Sequence, residues 1–498
     1  MKQFKKLALL SFITILGLTC SSFKLHHWQH EEEETSTNVL EQFYPDQNAY
    51  RLHGQIPQEL RHLSYGIYPI SRGYDTARFN FNKRFNIFPH LILCPRNNEE
   101  IVHVLKVLKK HHLPFSVRSG GHCLEPGSLT TGYVIDLRNF NWIKPDVKKK
   151  EVYIGAGCRL GSVIKKLGKL DFAIPTGTCS SVGVTGLSLG GGIGVLARAF
   201  GLTTDSIKSI TLLTAEGEII EVNDKHYPDL FWALRGAGNG SFGIVLGFTF
   251  KMHYVPHAST LTLTWNWTPD TVTEVFAAWQ TWIQTLPNTI TTELDLTYMN
   301  HQLGITVSAV KVGKKPFTEW KSAFANLNPK VKITHGSYLD SAQVWADRAP
   351  YPFLKSKSEM IFEPLGSQPI QSAITFFEQL KLNNQSYYAL FELQSLGGAV
   401  SKGNTAYFPR AAIAWWYHVM YWDKETMQPY ALEQLQTFSN DIAPFVSPYS
   451  YANIVDYDLG NIYLNAYYGT NVNQLIQIKS KYDPNNLFHW KQSIPPWR

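Results

Sequence analysis

Apolar and polar positions along this chain follow two different rhythms. Leu91 to Leu93 form a short apolar run, and Ile101, Leu105 and Leu108 then recur near a 3.6-residue period, which predicts a strand followed by a helix. A further strand is expected at Phe115 to Arg118, running into Ser119-Gly120-Gly121-His122, where the glycines break it. Short strands follow at Tyr133–Leu137 and Val152–Ile154, with a helical pattern at Leu160–Leu167. From about residue 256 to 450 the text changes. Alternating runs at Leu261–Trp267, Leu294–Met299 and Ile305–Val312 are separated by amphipathic helical stretches, which predicts an antiparallel sheet with helical cover. The fold class is therefore α+β.

Glycine density marks a boundary inside the first part. Gly177, Gly183, Gly186, Gly190, Gly191, Gly192, Gly194 and Gly201 lie close together, and Gly236, Gly238, Gly240 and Gly243 form a second cluster. So much glycine costs backbone entropy, so something must need bare backbone nearby; a large planar ligand with a pyrophosphate fits that need. Gly155-x-Gly157 is not a dinucleotide fingerprint, because the third glycine falls at 161. Gly186-Leu187-Ser188-Leu189-Gly190 matches the nucleophile elbow of serine hydrolases, but Cys179 to Thr185 before it carries no buried-strand run. A hydrolase at Ser188 stands as the reading from another class.

The composition is that of a folded enzyme-sized chain, with 498 residues, 44% apolar and 17% charged. Leu7 to Leu18 is apolar, follows Lys2, Lys5 and Lys6, and precedes Cys20, Ser21 and Ser22. It reads as a secretory signal peptide over 1–22, too short to span a bilayer, followed by a mobile leader over 23–49. Secretion or periplasmic export is expected, with no integral membrane span; a lipid anchor at Cys20 is the lesser alternative, since Thr19 suits that cleavage poorly. Losing three lysines lowers the formal charge from +7 to +4, which gives no reason to invoke nucleic acid. Cys94, Cys123, Cys158 and Cys179 remain, too few for a disulfide scaffold, and without a CxxC pair no metal is expected.

Two stretches carry chemistry together. Arg118-Ser119-Gly120-Gly121-His122 ends a strand in consecutive N–H groups able to curl around phosphate oxygens, and Pro175 to Gly186 places Gly177, Cys179, Val182 and Gly183 in a second loop. With Gly201-Leu-Thr-Thr-Asp205, the run Pro228 to Val245 that includes Gly243, and Tyr451-Ala-Asn453-Ile-Val-Asp456, they resemble the berberine-bridge-enzyme-like branch of the FAD-linked oxidases, the vanillyl-alcohol-oxidase (PCMH-type) fold. The resemblance runs from about Phe85 to the end.

That resemblance implies FAD held by two covalent bonds, His122 to the 8α-methyl and Cys179 to ring carbon 6. It implies a cofactor-binding set of Arg118, Ser119, Gly120, Gly121, Gly177, Val182, Gly183, Gly186, Gly190, Asp205, Gly243, Val245 and Asn453. It also implies a flavin-binding part from 50–255 that the segment 455–498 rejoins, and a substrate-binding part at 256–454. Tyr451 stands where relatives keep a base for the substrate hydroxyl, which a phenol can be near neutrality only if its anion is stabilised. On the strand Ala411 to Trp422, alternation puts Trp416, His418 and Met420 on one face, taken as the cleft wall with His418 as a catalytic candidate. Glu392 and Gln394 are weaker candidates on a neighbouring strand. Small residues at Gly177 and Val182 fit oxygen access, so the expected reaction is oxidation of a hydroxyl on a small-molecule substrate, a carbohydrate or secondary metabolite, by molecular oxygen with release of hydrogen peroxide. A dehydrogenase with another acceptor is the alternative.

Overall fold

The computed structural model describes residues 56–343, 352–383 and 385–497. The expected signal peptide, the leader and Cys20 lie outside the described residues. Strands β1 (Gly66–Ile67), β2 (Leu91–Leu93), β3 (Phe115–Arg118) and β4 (Tyr133–Asp136) form a four-stranded sheet in the order β1-β2-β4-β3. The helix α1 (Asn98–Lys110) crosses between β2 and β3. It starts where the Asn97 side chain accepts the Glu100 N–H at 2.9 Å, and it buries Ile101, Leu105 and Leu108 as their period requires.

A second sheet is antiparallel. It contains β5 (Ile143–Asp146) and β6 (Glu151–Gly155), and, beyond the small ladder strand β7 (Phe172–Ala173), β8 (Ile207–Leu213), β9 (Ile219–Val222) and β10 (Ile244–Lys251), in the order β5-β6-β10-β8-β9. Strand β7 pairs instead with β11 (His253–Tyr254). Helix α2 (Leu160–Gly168) precedes the glycine-rich stretch, and α3 (Val184–Leu189) lies within it.

The rest of the chain builds one seven-stranded antiparallel sheet. Its strands are β12 (Ala258–Trp265), β13 (Ile290–Met299), β14 (Gln302–Val312), β15 (Lys330–Gly336), β16 (Phe353–Ile361), β17 (Tyr388–Ser395) and β18 (Ala414–Trp422), ordered β15-β12-β14-β13-β17-β18-β16. Helices α4 (Pro269–Thr285), α5 (Ser367–Asn383) and α6 (Gln428–Ile442) cover one face, packing Trp279, Phe376 and Phe438 on Leu294, Phe391 and Trp416. The other face looks at the glycine loops. Among the described residues β15 pairs only with β12 and forms a largely exposed outer edge, whereas the opposite edge, β16, is engaged by Asn82, which bonds Leu354 through its amide. The chain then returns, and the buried Lys479 ties the C-terminal segment to the second glycine cluster by donating to Ser241 O at 2.6 Å. No described helix is long and apolar enough to cross a membrane.

Candidate active site

A single cleft separates the glycine loops from the bare face of the seven-stranded sheet and holds about 2170 Å³ of empty space, counted out to its open mouth. One wall is the loop after β3. Ser119, Gly120, Gly121 and His122 line it, and His122 is fixed by stacking on Phe81 with ring centroids 3.8 Å apart. Gly177, Cys179, Val182, Gly183 and Gly186 bring the second loop to the same space, and Gly243 and Val245 extend the floor. The two loops touch through bare backbone: a Cβ on Gly120 would stand 2.3 Å from the Gly183 nitrogen. His122 and Cys179, 57 positions apart in sequence, thus open on one cavity.

Tyr451 and Asn453 line the cleft from the C-terminal segment. The phenol oxygen of Tyr451 accepts three N–H groups, from Gly192 at 2.8 Å, Ile193 at 3.2 Å and the Asn453 amide at 2.8 Å. Gly192 has a φ of +87° and Gly191 one of +130°, which turns these backbone donors toward the ring and which a side chain would resist. Burial pushes the Tyr451 pKa up, and the three donors pull the other way without cancelling it. Three donors converging on one oxygen offset part of that burial cost, so they stabilise the anion without making it the resting form.

Four of the expected residues do other work. Arg118 is 3% exposed and does not line the cleft; its guanidinium is paired to Asp136 at 2.7 Å, joining β3 to β4. Asp205 caps Leu202 N–H at 2.8 Å and holds Arg410 by two contacts of 2.7 Å. Gly190 lies behind the cavity, where a Cβ would strike the Asn453 side-chain oxygen. His418 faces the helices: it is 1% exposed, packs against Phe391, Trp416 and Phe438, and has Nδ1 3.0 Å from Glu359.

The cleft wall on β18 is therefore the alternate set, Trp415, Tyr417 and Tyr421, one residue out of step with the expected face. Tyr417 is half-buried, and desolvation pushes its phenol far up. Ser188 is fully buried inside α3 rather than raised on an elbow, so no substrate carbonyl can reach it and the hydrolase reading fails. Cys123 also lines the cavity.

The sequence pointed to Glu392 and Gln394 on this wall but not to Glu293 and Asp295, with which Glu392 forms an acidic patch. Glu293, Asp295 and Glu392 have carboxylate oxygens within 4.8 Å of one another, because β13 and β17 pair Asp295 with Glu392 and Glu293 with Gln394. Glu293, Glu392 and Gln394 line the cleft. Residues 293 and 392 are joined only by strand register, so no local motif could announce that they meet.

The cleft suits FAD. It offers bare backbone on one side and aromatic rings on the other, and a Cβ on Gly186 would meet nothing within 4 Å, so any larger residue there would occupy the space a ligand needs. Residues 89–223 match the FAD binding domain family and residues 450–495 the family described as berberine and berberine-like. The FAD-linked oxidoreductase YgaK of Bacillus subtilis is 32% identical over 85% of this chain and 95% of its own. Reticuline oxidase of Eschscholzia californica is 27% identical over 82% of this chain and 83% of its own. The solved structure of Physcomitrella patens BBE-like 1 superposes with a TM-score of 0.78 at 26% identity, covering 87% of this chain and 97% of that one.

Fold and cleft together define an FAD-dependent oxidoreductase. Within that class, the chain belongs to the berberine-bridge-enzyme-like family of FAD-linked oxidases.

Proposed function

We propose that this cleft oxidises a hydroxyl group of a carbohydrate or secondary metabolite, with FAD attached through His122 and Cys179 and dioxygen as the final acceptor, giving hydrogen peroxide. The observation that carries the reading is the Tyr451 phenol oxygen at the cavity wall, supplied with three N–H donors. Bound FAD supplies the two-electron acceptor. As a phenolate, Tyr451 takes the proton from the substrate hydroxyl and becomes a neutral phenol; the convergent donors stabilise the negative charge its oxygen carries before that transfer. Trp415 and Tyr417, with rings stacked at 5.4 Å, offer an aromatic platform for the C–H face of a sugar or the plane of an aromatic metabolite. Glu293, Glu392 and Gln394 accept and donate hydrogen bonds to substrate hydroxyls. The reading of a small-molecule substrate draws support from reticuline oxidase, whose name states one. Small residues at Gly177 and Val182 on the wall leave room for oxygen.

Acid precipitation of the purified protein tests the cofactor linkage. Yellow colour should stay with the pellet in the wild type and in His122→Ala or Cys179→Ala, and pass to the supernatant in the double variant; colour lost from the wild-type pellet would refute covalent attachment. Export belongs to the same reading, because Leu7–Leu18 follows three lysines. Sequencing the N-terminus of protein recovered from the periplasm or medium checks it, and an intact Met1 would count against it.

A further inference from the structure

The two flavin-facing loops are anchored differently. Around Cys179 the loop is pinned by its immediate neighbours: Gly161 N–H donates to Ser180 O, Leu160 N–H to Val182 O and Val184 N–H to Cys158 O, each at 2.9 Å. The His122 loop starts from an anchor on its own side, where Ser119 Oγ donates to Ala156 O at 2.6 Å, but beyond His122 it leans on the segment 81–84 and through it on the far sheet. Phe81 N–H donates to Gly121 O at 2.7 Å, Asn82 Nδ2 donates to Leu124 O at 2.7 Å and to Leu354 O of β16 at 3.0 Å, and Arg84 pairs with Glu125 at 2.9 Å.

Lys355, also on β16, closes this junction. It is 3% exposed, with Nζ 2.9 Å from Glu125, 2.6 Å from Asp456 and 3.1 Å from Asp458. Lys357, two positions on, reaches Asp456 at 3.1 Å and Asp458 at 2.8 Å, and no ion pair joins it to Glu125. Three cations, Arg84, Lys355 and Lys357, thus face three carboxylates, Glu125, Asp456 and Asp458. Burial opposes the charge on Lys355, but Asp456 and Glu125 outweigh it and hold the lysine protonated. A buried charge stripped of its partner is strongly destabilising, so the cluster ties three separate segments into one geometry. These are the loop carrying His122, the edge of the seven-stranded sheet, and the C-terminal segment that carries Tyr451.

We infer that Lys355 is the positioning residue for flavin attachment at His122, so that the histidyl bond forms only after the seven-stranded sheet and the C-terminal segment have docked, whereas the Cys179 bond does not depend on that docking. The inference rests on the doubly attached flavin proposed above. Attachment replaces an imidazole N–H and a C–H of the 8α-methyl group with an N–C bond, and the two hydrogens with their electrons pass to dioxygen as hydrogen peroxide. Such a bond forms only when nitrogen and carbon are held at contact distance. Glu125 is three residues from His122, so a loop released from Lys355 loses that placement, while the Cys179 loop keeps its own anchors.

Peptide mapping by mass spectrometry of the full-length holoprotein tests this through the fraction of flavin-bearing His122 and Cys179 peptides. Lys355→Met should cut the His122 fraction at least fivefold and leave the Cys179 fraction within twofold of wild type. Lys355→Arg should restore much of it, and Lys357→Met should leave the ratio of the two peptides near the wild-type value. Glu125→Gln gives an independent route to the same loss should Lys355→Met not yield folded protein. An unchanged His122 fraction in both Lys355→Met and Glu125→Gln, or equal loss at both peptides, overturns the inference. A wild-type digest without flavin on His122 overturns it at its root and separately identifies the doubly attached flavin as the failed premise.

Discussion

Gly186 lies within α3 with open space where a Cβ would stand, so its role is to keep the cavity empty and not to permit an unusual turn. Gly186→Leu should leave the far-ultraviolet circular dichroism intact and lower bound flavin about tenfold, as steric exclusion of a ligand requires; a full flavin complement would show that the cofactor does not use this space. At Tyr451, removing the phenol oxygen removes the proton acceptor while the ring stays. Tyr451→Phe should slow anaerobic flavin reduction by roughly 10²-fold or more and change substrate affinity little, the signature of lost general-base catalysis. Because burial has raised the Tyr451 pKa, the wild-type reduction rate should climb as pH rises from neutrality, and that climb should vanish in the phenylalanine variant. The glycine loops, His122, Cys179 and Tyr451 were legible as sequence because they meet the cleft through local stretches. Arg118 and Asp205 were misassigned for an equally local reason: a charged residue inside a motif looks the same whether it holds a ligand or closes an ion pair behind it.

Strand β18 shows where element-scale reading stops. Its existence was plain from a run of aromatic and β-branched residues, yet eight of its nine residues are buried, so polarity no longer distinguishes one face from the other. Register alone decides, and Trp415, Tyr417 and Tyr421 take the cleft while Trp416, His418 and Met420 take the helices. Substitutions along this strand should therefore alternate in effect. Tyr417→Ala should raise KM about tenfold with a small change in melting temperature. His418→Ala should cost about 1–3 kcal/mol of stability and leave turnover per bound flavin near wild type. The reverse pattern would mean that the strand sits in the other register. Strand register also explains the hidden acidic patch, since β13 and β17 bring Glu293 and Glu392 together across nearly a hundred residues.

At the scale of the molecule, the ionic junction of Lys355 and Lys357 gives the fold an acid limit. Burial would raise the Asp458 pKa, but the Lys357 ammonium and then Lys355 overcome it and hold the carboxyl at about 2, below its ordinary 3.8. A depressed carboxylate contributes stability above its unfolded value and loses it as pH falls through the folded one. Thermal melts should therefore drop between pH 3.8 and about 2, and the drop should be shallower in Lys357→Met. One large antiparallel sheet with helical cover followed from the change in rhythm near residue 256, though the split of the flavin side into two sheets is not legible there. The way a third segment locks these sheets together did not follow, because Glu125, Lys355 and Asp456 belong to no common motif.

The opposite side of the large sheet ends on β15, whose outer rim carries Lys330 and Lys332. A second molecule trying to extend the sheet sideways would bring ammonium groups against ammonium groups before any ladder could close. Crowding at high concentration should thus leave this protein as separate particles, and light scattering of a Lys330→Val/Lys332→Val variant should report strands knitting one molecule to the next.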